Sequence, residues 1–64
     1  MVDLVARALE LLHEYPSLIE DARRHARTGA TAIGDVLLGE YPNATLWQIQ
    51  AAVVEALAML EGNQ

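Results

Sequence analysis

Sixty-four residues make one small domain, residues 1–64, with no room for a second core or an enzyme-sized cleft. A chain this short usually needs a staple, a disulfide, a metal or a partner subunit, and the absence of cysteine excludes disulfides and thiolate metal sites. A net charge of −5, with four arginines and no lysine, works against binding polyanions on charge alone.

The first helix is expected from Asp3 to Tyr15. At about 100° per residue, Asp3, Arg7, Glu10 and Glu14 share a narrow polar face, with opposite charges paired as Asp3–Arg7 and Arg7–Glu10. Leu4, Val5, Ala8, Leu9, Leu11, Leu12 and Tyr15 fill the apolar arc. Pro16 ends the helix by pushing the residue before it out of helical geometry. Ser17 and Glu20 then have the spacing of a capping box, opening a second helix that runs to about Thr28 with Gly29 as its C-cap. Its apolar stripe is thin and small: Leu18, Ile19, Ala22 and Ala26.

Thr31 is the expected N-cap of a third helix, about Ala32 to Glu40, which packs through Ile33, Val36, Leu37 and Tyr41. Gly34 and Gly39 weaken it by about 1 kcal/mol each relative to alanine. Pro42-Asn43 marks a turn. Thr45 and Gln48 form a second capping box, and a fourth helix follows from Leu46 to about Glu61, closed by Gly62 and Asn63. The fold class is therefore all-α, a small bundle of four short helices, the last two laid out like a helix-turn-helix. The expected core is Leu9, Leu12, Leu18, Ala22, Ile33, Leu37, Ile49, Val53, Leu57 and Leu60.

The fourth helix carries two apolar stripes. Leu46, Ile49, Val53, Ala56, Leu57 and Leu60 recur at three- and four-residue steps, and so do Trp47, Ala51, Val54 and Ala58. Three short helices can shelter one broad face of the fourth. Two arrangements follow: the second stripe packs under the first helix, or it meets a partner, most simply another copy across a two-fold axis. The second is the working expectation, with Trp47, Ala51, Val54 and Ala58 as the interface and Tyr41 at its rim.

Residues that carry chemistry are sparse. His13 and His25 sit on different helices at the edges of apolar stripes, without the clustered His or Glu that a metal needs. Ser17 and Thr45 read as caps rather than nucleophiles. Gly34 and Gly39 lack the Lys-Ser/Thr that completes a phosphate loop. No enzymatic activity, metal or cofactor is expected. The longest nearly apolar run, Leu46 to Leu60, is too short and too polar for a bilayer core of about 30 Å, and no basic segment followed by an apolar block marks a targeting signal. The expected setting is cytoplasmic, without a membrane partner.

Arg23, Arg24 and Arg27 make a secondary charged face, partly neutralised by Glu20. They support an alternative to protein contact: a helix-turn-helix DNA-binding regulator, with these arginines on phosphate and the start of the fourth helix, Trp47, Gln48 and Gln50, at base edges. The reading helix has no positive charge and carries Glu55 and Glu61, which disfavours nucleic acid. The sequence favours a small self-associating regulator or inhibitor acting by helix-mediated contact.

Overall fold

A computed structural model of the chain describes residues 3–26 and 31–62. Among them are four helices and no strand: α1 Leu4–Glu14, α2 Ser17–His25, α3 Ala32–Glu40 and α4 Leu46–Gly62. Every pair of helices touches, and α1 against α4 is the broadest contact. The Cα radius of gyration, 10.4 Å, is that of a tightly folded chain of this length.

Local chemistry sets most of the boundaries. Asp3 caps α1, its Oδ1 accepting the Ala6 amide at 3.1 Å, and Tyr15 leaves helical geometry before Pro16 with φ −125° and ψ 76°. Thr31 Oγ1 accepts the Gly34 amide at 2.9 Å, as an N-cap should. Asp21, reaching from α2, accepts the next free amide, that of Ala32, at 2.9 Å. Two side chains from different elements thus satisfy the start of α3. At the start of α4 the capping box is reciprocal: Gln48 N donates to Thr45 Oγ1 at 3.1 Å, and Thr45 N donates to Gln48 Oε1 at 2.9 Å.

The expected Ser17–Glu20 box does not form. Pro16 occupies the N-cap position with φ −57° and ψ −24°, and Ser17 is already inside the helix. The proline ring fixes a φ that suits a helix start. Backbone bonds from Leu18 N to Tyr15 O (2.9 Å) and Ile19 N to Pro16 O (3.1 Å) satisfy the amides that a cap would have served. Glu20 instead faces Arg24. α2 ends at His25 rather than near Thr28, with the Ala26 amide donating to Ala22 O. Arg27, Thr28 and the expected cap Gly29 lie outside the described residues.

The core forms where α1 and α4 face each other, closed by α2 and α3. Leu12, Ile33, Leu37 and Val53 are its largest fully buried side chains. Ala22, Ile49 and Leu57 are buried as expected, whereas Leu9, Leu18 and Leu60 are half-buried and pack against the core from its edge. Much of the remaining interior is small: Ala8, Ala26 and Ala56 join Leu11 in the cluster, and Ala52 is buried too. Alanines at these contacts let helix axes approach closely, which keeps so small an interior filled. No buried side-chain polar atom among the described residues lacks a hydrogen-bond partner.

Two apolar residues assigned to packing faces are exposed instead. Val36 is 40% exposed, because Ile33 and Leu37 take the inward side of α3 and turn it toward solvent beside Tyr15. Leu46 is 66% exposed despite its place in the inner stripe. It is the first residue of α4, and helical side chains lean toward the N-terminus, carrying it past the cover of its neighbours.

Candidate interaction surface

The inner side of α4 is taken by Ile49, Ala52, Val53, Ala56 and Leu57. With these facing inward, helical periodicity turns Trp47, Ala51, Val54 and Ala58 to the opposite side. All four are exposed. Trp47 is open to solvent over 79% of its surface and Val54 over 44%. Trp47, Ala51 and Val54 line one shallow groove of about 320 Å³, edged by Gln50 and Glu55. Leu46 and Met59 are exposed on the same helix but lie off this stripe, with Gln50 and Glu61 on one flank and Gln48 and Glu55 on the other between them and it. The indole alone offers on the order of 200 Å², which is roughly 5 kcal/mol of transfer free energy before any cost of ordering or association.

Tyr41 stands apart from this group. It closes α3, its amide donating to Leu37 O at 2.8 Å, and packs half-buried against the core. Its groove is a different one, about 400 Å³, shared with Leu4, Pro42, Asn43, Ala44 and Gln48. A second apolar opening, of about 380 Å³, lies between α1, α2 and α3, where Leu11, Leu18, Tyr15 and Val36 meet. Tyr15 is 49% exposed there. This opening is not legible in the sequence, which places Tyr15 and Val36 on the apolar, packing sides of their own helices.

Charged groups hold the bundle at its edges. Arg7 donates from Nε and Nη2 to the two Glu40 oxygens, each at 2.8 Å, and Nη1 reaches Glu10 at 3.4 Å. The expected Asp3–Arg7 pair is absent because Asp3 is committed to its cap and Glu40 offers both oxygens to the guanidinium fork. Hydrogen bonding from Arg7 lowers the Glu40 pKa, partial burial opposes it, and the Arg7 charge adds to the lowering. Arg7 is correspondingly pushed above its already high value, chiefly by Glu40.

On the expected arginine face, Arg23 Nε bonds Glu61 Oε2 at 2.7 Å, tying α2 to the end of α4. Arg24 lies 3.8 Å from Glu20. Arg27 is outside the described residues. Gln48, one of the side chains weighed for base contact, is engaged in the Thr45 box. His13 Nδ1 sits 2.9 Å from the Leu9 carbonyl, an acceptor only, so that nitrogen carries the proton. Among the described residues no three His, Cys, Asp or Glu converge as a metal site, and no helix is long and apolar enough to cross a membrane.

Compared with protein-family models, with curated proteins and with solved structures, the chain finds no significant match in any of the three.

Proposed function

We propose that the protein is a small interaction module that works by contact rather than by catalysis, and that the outer face of α4 is its docking surface for a protein helix. The observation that carries this reading is Trp47, 79% exposed on a rigid helix and in line with Ala51, Val54 and Ala58. Tryptophan is enriched among residues that anchor interfaces, and small neighbours let another backbone come close. The surface is nearly uncharged, with Glu55 at its margin. A regulator or inhibitor acting through such a helix fits this chemistry.

The duplex-binding alternative draws less support. Arg23 and Arg24 each face a glutamate that phosphate would have to displace, and Gln48 would have to leave its cap to reach a base.

The test is site-specific photo-crosslinking in cells that express the chain. A photoreactive residue at Ala51 should give adducts with protein, either the chain itself or another, while one at exposed Asp35 on α3 should not. If Ala51 gives no adduct of either kind, the outer face of α4 is not a docking surface.

A further inference from the structure

Resting on that reading, we infer that the occupant of the α4 face is a second copy of the chain, its α4 running antiparallel to the first about a two-fold axis at the midpoint of Ala52 and Val53. Trp47 and Ala58 lie at equal distances either side of that point, and so do Ala51 and Val54. An antiparallel copy therefore sets Trp47 over Ala58 of the partner subunit and Val54 over Ala51 of the partner subunit, and the reverse. Every layer then joins a larger and a small side chain, and the two ends are equivalent, so neither end is wedged apart. Parallel, in-register helices would stack tryptophan on tryptophan and alanine on alanine. One end would be wedged apart and the alanine layers left hollow.

The charge of Glu61 favours the same arrangement. Parallel pairing holds Glu55 and Glu61 level with their own copies across the seam, in a molecule already at −5. The antiparallel register spaces the two Glu55 residues about 7.5 Å apart along the axis, by the 1.5 Å rise per residue, and the two Glu61 residues about 25 Å apart. It also brings Glu55 near the uncharged Gln48 of the partner subunit. The apolar area is on the order of 400–500 Å² per copy, short of the ~800 Å² per partner of a standard interface. The dimer is accordingly concentration-dependent rather than obligate.

Two measurements on the full chain decide it. Sedimentation velocity over a wide concentration range should show wild type passing from monomer to dimer, and Trp47→Ala or Val54→Glu remaining monomeric. The chain has no cysteine, and a Cβ at exposed Gly62 meets nothing within 4 Å, so Gly62→Cys takes a single spin label without disturbing the fold. The antiparallel dimer places the two label sites about 28 Å apart along the axis, whereas a parallel one leaves them at about the 10 Å interaxial distance. A short distance overturns the register. A dimer that survives Val54→Glu overturns the surface assignment. A wild-type monomer at every concentration overturns the second copy, while crosslinking at Ala51 still decides separately whether the face docks a protein.

Discussion

Arg7 ties α1 to the end of α3 by donating from Nε and Nη2 to both Glu40 oxygens. The glutamate pKa is lower in the folded chain than in the unfolded one, where it lies at about 4.3. The contribution of the pair is therefore complete above that value and is lost as the pH falls through the lower, folded-state pKa. Glu40→Gln should lower the melting temperature at neutral pH and flatten its decline in acid, so that the two curves converge at low pH. Parallel curves would place the acid sensitivity elsewhere. Thr31 is a second such position: it is 3% exposed and its hydroxyl serves the Gly34 amide. Thr31→Ala should cost about 1–2 kcal/mol by urea denaturation, with Thr31→Ser restoring most of it. Equal losses in both variants would assign the effect to the buried methyl group instead.

At the scale of the element, α3 is the helix most open to improvement. Gly39 lies within it, and a Cβ there meets nothing within 4 Å. Gly39→Ala should stabilise the protein by about 0.5–1 kcal/mol, because alanine has less backbone freedom to lose on folding. A lower urea midpoint would mean that this turn departs from helix in solution. α4 has the opposite character: reciprocal capping at its start and apolar residues on nearly all sides make it the rod about which the bundle forms. Helices apolar on several sides are normally covered on several sides. Here the inner side alone is covered by the chain itself.

For the whole molecule, the ordinary scale of about 0.05–0.15 kcal/mol per residue gives only about 3–10 kcal/mol of stability. A chain without disulfides has little margin, and association of folded copies adds to it by mass action. The melting temperature of wild type should therefore rise with protein concentration, and that of Val54→Glu should not. Because Val54 is 44% exposed on a solvent-facing side, the variant should match wild type within about 0.5 kcal/mol when dilute. A concentration-independent melting temperature in wild type would count against association of the folded state.

The sequence by itself determined the four helices, the Asp3–Tyr15 span, the Thr31 cap, the Thr45–Gln48 box and the outward stripe of α4, because each depends on neighbours within a turn or on the period of one helix. Only tertiary structure decided where Arg7 and Asp21 would spend their hydrogen bonds, and that Val36 and Leu46 would stay in water. Those outcomes depend on which helix lies across from which, and periodicity carries no record of that. The same holds for Tyr41, whose packing against the core, away from the outer stripe of α4, follows from how the helices meet. Pro16 marks the boundary between the two kinds of information. Its ring ended α1 as the sequence required, yet the backbone bonds across the turn made the expected serine cap unnecessary.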